Sequence, residues 1–145
     1  MKKKLFIISL VSFLLLGISL NVGAEETGKE YKKMYTTAYC TGRITRSGEE
    51  VRIGICAVKE EWMYQKAYVY AYDDGKCGQL LGVFDCLDTG FGADSDGDGV
   101  GSIEEGKVID IYFPSLELCR EWMKLTGGQC YVLFEKDNEL EKLKK

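Results

Sequence analysis

Short apolar runs, separated by polar turns rich in glycine, dominate the chain between residues 34 and 135. Runs of this length, with alternating or continuous apolar residues, are typical of β-strands. The Asp74-Gly75 pair between the third and fourth runs favours a tight hairpin turn. The pattern therefore predicts six strands, at residues 34–40, 55–58, 67–72, 80–87, 107–113 and 129–135.

One segment has helical periodicity instead. Pro114 and Ser115 open it, with Ser115 as the expected N-cap, and Leu118, Trp122 and Leu125 recur at helical spacing. Gly127-Gly128 is expected to end the helix. Six short strands with one late helix predict a mainly β fold, and more specifically a small barrel.

The amino terminus has the pattern of a secretory signal peptide. Three lysines precede an apolar run of 16 residues, Leu5 to Leu20, and small residues at 22–24 suit cleavage. The alternative is an uncleaved N-terminal anchor. Removing 24 of 145 residues leaves 121, which suits one domain. We expect a flexible lead-in at 25–33, the domain at 34–136, and a charged tail at 137–145 that is a frayed helix or disordered.

The net charge of the chain limits the classes of partner that it is expected to bind. Loss of the three leader lysines changes the net charge from −4 to −7. An acidic surface without a basic run argues against nucleic acid and anionic membranes as partners. We expect a secreted or cell-surface monomer with no stable membrane insertion after cleavage.

All six cysteines follow the leader, and an even number in an exported chain predicts disulfides, most simply three. Their pairing is left open by the sequence. The chain has no histidine and no Cys-x-x-Cys, which argues against zinc and against a Cys-His nucleophile. Acid–base chemistry would then fall to carboxylates, tyrosine or lysine. The six residues are Cys40, Cys56, Cys77, Cys86, Cys119 and Cys130.

Two aspartates are candidates for that chemistry. Asp110 lies within the apolar run 107–113, where it shares a face with Val108 and Tyr112. A carboxyl there is at a rim, paired, or protonated with a raised pKa, as a general acid needs. Asp88, in Asp88-Thr89-Gly90, is either an acid in a cleft or a structural turn residue.

A glycine-rich acidic loop separates these two aspartates. Residues 94–105 match the twelve-residue calcium loop of an EF-hand, with Gly99 at the turn position. Gly101 replaces the usual apolar residue of that loop, and the flanks are not two helices. A solvated acidic insertion is the alternative to a lone, modest-affinity calcium site. The expected ligands are Asp94, Asp96, Asp98, Glu105 and the carbonyl of Val100.

Aromatic residues are frequent in the predicted strands. They suit either a sugar-binding cleft or ordinary half-buried packing. The set comprises Tyr35, Tyr39, Tyr68, Tyr70, Tyr72 and Tyr112.

Several motifs together resemble the 3D domain, a family named for three aspartates. MYTTAYC, TRSGEEVRIGICAV, VFDCLDTG and GKVIDIYF occur in the family's order and spacing, and the match spans about 34–135. The resemblance implies a six-stranded double-psi β-barrel with one late helix, like those of membrane-bound lytic transglycosylase A and small peptidoglycan-cleaving proteins.

The resemblance also implies roles. Asp110 takes the position of the catalytic aspartate and Asp88 that of its supporting aspartate. Lys59 stands where the family has its first aspartate, and the link between the last two aspartates is longer than in the family. Asp85 is a conceivable substitute for the missing carboxylate. Substrate contacts are expected from Tyr39, Thr89, Gly90 and Asp85.

The resulting expectation is a secreted peptidoglycan lytic transglycosylase. Such an enzyme cleaves between the two sugars of the glycan strand and leaves a 1,6-anhydro product. A non-catalytic, expansin-like glycan-binding barrel is the first alternative, favoured by Lys59. An aspartic protease is a remote alternative, suggested by the Asp-Thr-Gly turn.

Overall fold

The computed structural model describes residues 28–144. The predicted signal peptide and the beginning of the lead-in lie outside these residues. Within 28–144, no helix has the length and apolar character needed to cross a bilayer.

The six predicted strands are confirmed, with small differences at their ends. The first begins at Lys32, inside the expected lead-in, and Asp74 and Gly75 form the hairpin turn with positive φ angles of 45° and 83°. The strands are β1 Lys32–Tyr39, β2 Ile55–Ala57, β3 Gln65–Asp73, β4 Lys76–Asp88, β5 Val108–Tyr112 and β6 Gln129–Lys136.

The strands form one mixed sheet that closes into a ring in the order β1-β5-β2-β4-β3-β6. Closure occurs because β6 pairs with β3 on one side and with β1 on the other. The pairs β1–β5 and β2–β4 are parallel, and the remaining pairs are antiparallel. The short strand β2 thereby lies between β4 and β5, which carry the two candidate aspartates.

The late helix, α1, spans Leu116–Thr126 and begins and ends as predicted. The Ser115 hydroxyl accepts a hydrogen bond from the Leu118 amide, and Gly127 ends the helix in the left-handed conformation. On its buried side, Trp122 Nε1 donates to Thr36 Oγ1 at 2.9 Å. This bond joins α1 to β1.

The carboxy-terminal segment, expected to be a frayed helix or disordered, contains a short helix that packs against the sheet. Asn138–Glu141 forms a short helix, α2, capped by the Asp137 carboxylate. Leu140 is buried against Ile55 and Leu87. Leu143, which is partly buried, packs against the same cluster. These two leucines anchor the charged segment, because they fill an apolar site that only the folded sheet creates.

The main core lies on the other face of the strands from this small cluster. It includes the fully buried Ile109 and Ile111 of β5 and Cys56 and Cys86 of β2 and β4. The predicted disulfides are not formed in the structure, where all six cysteines are free. The sulfurs of Cys56 and Cys86 are 3.7 Å apart, beyond the roughly 2.05 Å of a bond.

Candidate active site

Asp110 lies in the middle of β5 with its side chain half-buried. Alternation places it on the face opposite Ile109 and Ile111, as the sequence pattern predicts. Its register partners are Thr37 on β1 and Ala57 on β2. The Thr37 hydroxyl donates a hydrogen bond to Asp110 Oδ1 at 2.8 Å, which orients the carboxyl group.

Asp88 lies at the last residue of β4, and its register partner is also Ala57. Its Oδ1 accepts hydrogen bonds from the backbone N–H groups of Arg46, at 2.9 Å, and Thr89, at 3.0 Å. Its Oδ2 accepts one from the Tyr39 hydroxyl at 3.1 Å. The local bond from Thr89 is the turn interaction that the Asp-Thr-Gly sequence predicts, and the other two bonds are long-range.

Tyr39 connects the surroundings of the two carboxyl groups. It ends β1, two residues after Thr37, and its ring packs edge-on against Tyr112, with centroids 5.4 Å apart. Burial is the main cause that raises the pKa of Tyr39, and the charge and hydrogen bond of Asp88, then the charge of Asp110, raise it further. The tyrosine therefore stays protonated and serves as a hydrogen-bond donor to Asp88.

The environment of Asp110 favours its protonated form. Burial raises the pKa of Asp110 above the ordinary 3.8, and the negative charge of Asp88 raises it further. The hydrogen bond from Thr37 acts in the opposite direction but does not cancel the shift. A carboxyl group that holds its proton to higher pH is suited to donate it to a leaving oxygen.

Asp85 forms ion pairs with two basic side chains. Its carboxylate contacts Arg52 Nη2 at 2.5 Å and Lys66 Nζ at 2.7 Å. Burial alone would raise the pKa of Asp85, but the combined hydrogen bonds and charges of these two bases outweigh burial and lower it. None of its hydrogen-bond partners is shared with Asp88 or Asp110, so its contacts are those of a structural ion pair.

The two residues after Asp88 support the turn. Thr89 is half-buried and contributes its amide, while Gly90 leaves space for Ile103, whose Cδ1 would lie 3.2 Å from an added Cβ. Lys59 follows β2, and its ammonium lies 3.1 Å from Glu61. The position at which the 3D-domain resemblance leads one to expect an aspartate therefore holds a lysine that is already paired.

The loop between the two aspartates brings three of its predicted ligands together. Carboxylate oxygens of Asp94, Asp96 and Asp98 lie within 4.8 Å of one another and are exposed. Backbone N–H groups inside the loop donate to all three side chains, including Gly97 to Asp94 at 2.8 Å, Asp98 to Asp96 at 3.4 Å and Val100 to Asp98 at 2.8 Å. This donor set of hard oxygens suits calcium.

The fourth carboxylate of the predicted set is turned toward a lysine. Glu105 Oε1 lies 2.6 Å from Lys107 Nζ, and the same ammonium lies 3.1 Å from Asp96 Oδ2. The carboxylates of Glu105 and then Asp96 raise the pKa of Lys107, so it remains charged. Lys107 therefore supplies a positive charge beside the acidic loop.

The close packing of the backbone around residue 101 explains why a glycine stands there, which the sequence alone did not reveal. A Cβ at this buried position would lie 1.7 Å from the Phe91 carbonyl oxygen. The chain closes tightly here, with Ser102 N donating to Ala93 O and Ile103 N to Phe91 O. The apolar residue usual at this position of an EF-hand loop cannot fit, so the loop is closed by its own backbone rather than by a partner loop.

Thr37 and Arg46 were not identified from the sequence. Thr37 could have been found, because it is two residues before Tyr39 and so shares its face of the strand. Arg46 donates only its backbone N–H to Asp88, from a loop 42 residues earlier. No side-chain pattern carries that information.

Two neighbouring cavities share Glu60 and Glu61 in their lining. One, of about 400 Å³, is lined by residues that include Arg46, Ser47, Glu60 and Tyr64. The other, of about 420 Å³, is lined by Lys59, Glu60, Glu61 and Glu104. Neither Asp88 nor Asp110 lines these cavities, and the first cavity approaches the site only through Arg46, whose backbone N–H donates to Asp88.

Comparisons with protein-family models, with curated proteins and with solved structures found no match for this chain.

The opposite pKa shifts of Asp110 and Asp85 predict opposite effects of the same substitution on stability. Asp110 stabilises the fold fully below the ordinary pKa of 3.8 and loses that contribution as the pH rises through its higher folded pKa. Asp110→Asn should therefore raise the free energy of unfolding near neutral pH, because the neutral amide removes the cost of holding a buried charge. Urea unfolding at a series of pH values measures this.

Asp85→Asn is the matched control. The lowered pKa of Asp85 means that its contribution is present above 3.8 and is lost as the pH falls through the folded pKa. This variant should be less stable than the parent near neutral pH, with the gap closing in acid. If Asp110→Asn behaves like Asp85→Asn, Asp110 is not in the environment described.

Proposed function

We propose that the protein is a secreted peptidoglycan lytic transglycosylase of the 3D-domain type. One observation carries the proposal: a half-buried aspartate with a raised pKa, Asp110, lies near an aspartate that accepts three hydrogen bonds, Asp88. The absence of histidine from the chain fits a reaction that a single carboxyl group can carry. The closed six-stranded ring is compatible with the double-psi β-barrel that forms part of the proposal.

In the proposed reaction Asp110 acts first as an acid. It donates its proton to the glycosidic oxygen that leaves, as the sugar acquires oxocarbenium character. The ionised Asp110 then accepts the proton of the C6 hydroxyl of the same muramic sugar. That oxygen bonds to C1 and closes the 1,6-anhydro ring, so no water and no covalent enzyme ester are needed.

Asp88 would act through charge and position. Its negative charge is one of the two causes that raise the pKa of Asp110. Its own orientation depends on Tyr39, Thr89 and the backbone of Arg46. Asp110, by contrast, has one hydrogen-bond donor among the described residues, Thr37. The cavity lined by Arg46 and Glu60 offers space for neighbouring sugar units, since the backbone N–H of Arg46 also contacts Asp88.

A non-catalytic glycan-binding role is the second candidate. The observation that favours it is Lys59, which occupies the position of the family's first aspartate and is paired with Glu61. The surface around that position would still accept a polar sugar chain. Export to the cell surface, a monomeric state and peptidoglycan as partner belong to both proposals.

Asp110→Asn should abolish the release of anhydro-muropeptides from purified peptidoglycan. Loss of the acid removes a contribution of about 10²- to 10⁴-fold in rate, while the Thr37 bond can still reach the Asn oxygen. Mass spectrometry of the digests measures the product, and circular dichroism checks the fold. Asp85→Asn, an aspartate on the same strand as Asp88, is the control expected to stay active.

Three outcomes would redirect the assignment. An active Asp110→Asn protein would remove Asp110 from the acid role. A parent protein that sediments with cell walls but releases no anhydro product would favour the glycan-binding alternative. Pepstatin-sensitive peptide cleavage would favour an aspartic protease.

The proposal includes calcium at the 94–105 loop. Asp94, Asp96 and Asp98 would hold the ion, and Glu105 would join them by leaving Lys107. Bound calcium would supply order to the segment that joins β4 to β5, with no part in proton transfer. The expected dissociation constant is roughly 10⁻⁴ to 10⁻³ M, as in extracellular modules.

Lys107→Gln should tighten calcium binding. The substitution removes a positive charge that contacts Glu105 and Asp96, so these carboxylates no longer have to leave an ammonium group to bind the ion. Isothermal titration calorimetry measures the affinity. Lys142→Gln, which alters a lysine paired only with Glu139, is the control. No binding at millimolar calcium in either protein would leave the loop as a solvated insertion.

A further inference from the structure

Cys56 and Cys86 are positioned to form a disulfide. They are register partners on the parallel strands β2 and β4, and both side chains are fully buried on the core face of the sheet. Their sulfur atoms lie 3.7 Å apart. Register partners on neighbouring strands have Cα atoms about 5 Å apart, inside the 4.4–6.8 Å that disulfides span. A small rotation of the side chains therefore suffices to bring the sulfurs into bonding contact.

A second pair, Cys40 and Cys119, is brought together by the packing of α1 on β1. The chain leaves β5 beside the end of β1, where Phe113 N donates to Tyr39 O at 2.9 Å. It then returns along β1, since Trp122 bonds to Thr36 and Thr36 N donates to Gly128 O. Cys119 is buried near the start of this helix, at the Cys40 end of β1. Burial is the main cause that raises the pKa of the Cys119 thiol, and the nearby Cys40 thiol raises it further.

The remaining two cysteines cannot pair with each other without rearranging the sheet. Cys77 on β4 and Cys130 on β6 lie on opposite sides of β3, with Tyr72 and Ala71 as their respective partners. Two strand spacings separate them by about 10 Å, beyond the roughly 7 Å limit for a disulfide. Tyr72 and Ala71 are consecutive, so their partners also face opposite sides of the sheet.

We propose that the native protein carries two disulfides, Cys56–Cys86 and Cys40–Cys119, with Cys77 and Cys130 as thiols. The oxidant is a small-molecule disulfide such as oxidised glutathione. For each bond, two cysteine thiols lose two protons and two electrons and form one S–S bond. The glutathione S–S bond breaks and takes them up as two thiols.

The two bonds would bracket the acidic site. Cys86 lies two residues before Asp88, and Cys56 precedes Ala57, the register partner of both aspartates. Cys40 follows Tyr39, the donor to Asp88. The first bond ties β2 to β4, and the second ties α1 to β1. Four strands, β1, β2, β4 and β5, contribute residues to the site. The two disulfides would covalently restrain three of these strands, β1, β2 and β4.

Disulfide mapping tests the pairing independently of any activity. The full chain is refolded with reduced and oxidised glutathione, denatured with its thiols blocked by iodoacetamide, and digested without reduction. Trypsin alone leaves Cys77 and Cys86 on one peptide, so chymotrypsin is added to cut after Phe84. Mass spectrometry should find 56–86 and 40–119 linked peptides, with Cys77 and Cys130 alkylated.

A thermal measurement gives a second readout. Reduction of the parent protein should lower its melting midpoint by at least about 10 °C. Cys56→Ala/Cys86→Ala should show a smaller loss on reduction, while Cys77→Ala should keep the full loss. Alkylated Cys56 and Cys86 in protein that has regained its fold would overturn the proposal. So would a major link from Cys56, Cys86, Cys40 or Cys119 to Cys77 or Cys130.

Discussion

The pairing of the three-residue strand β2 with two neighbours determines the candidate site. Ala57 is opposite Asp88 on one side and Asp110 on the other, so a single small residue separates the strands that carry the two carboxyl groups. The register of β2 and β4 shifts between Cys56 and Ala57. Asp88 still meets the face of Asp110, because Tyr39, which shares its face of β1 with the Asp110 partner Thr37, donates to Asp88. Slipping β2 by one residue would break this relation, since it would turn alternate side chains over.

This geometry accounts for the different roles of the two carboxyl groups. Asp88 stands at a strand end, where loop and turn amides can reach it, and it accepts three hydrogen bonds. Asp110 stands inside a strand whose own amides are used in the ladder, and within residues 28–144 only Thr37 donates to it. Burial and the nearby charge of Asp88 then favour its protonated form. Two like groups separated in this way form an acid and its supporting charge.

Local physical rules were enough to predict the elements and the orientation of Asp110. Alternation within residues 107–113 identified its face, Asp74-Gly75 identified the hairpin, and Ser115 identified the helix start. The ring order could not be predicted, because strand pairing joins segments far apart in the chain. The ion pairs of Asp85 and the anchoring of Leu140 could not be predicted for the same reason, since their partners meet only after the sheet closes.

The acidic loop shows which contacts a sequence motif predicts and which it does not. Its spacing correctly brought Asp94, Asp96 and Asp98 together, but it gave no sign that Glu105 would pair with Lys107. The lysine lies just outside the twelve-residue pattern. The calcium assignment therefore depends on a competition between an ion and an internal ammonium group.

The central claim is that burial and the charge of Asp88 together raise the pKa of Asp110. Carbon-13 NMR titration of the aspartate carboxyl groups tests it directly, in the parent protein and in Asp88→Asn. We expect Asp110 to titrate above 3.8 in the parent. In the variant its pKa should fall but stay raised, because burial is the larger cause. Titration of Asp110 at or below 3.8 in the parent would contradict the account.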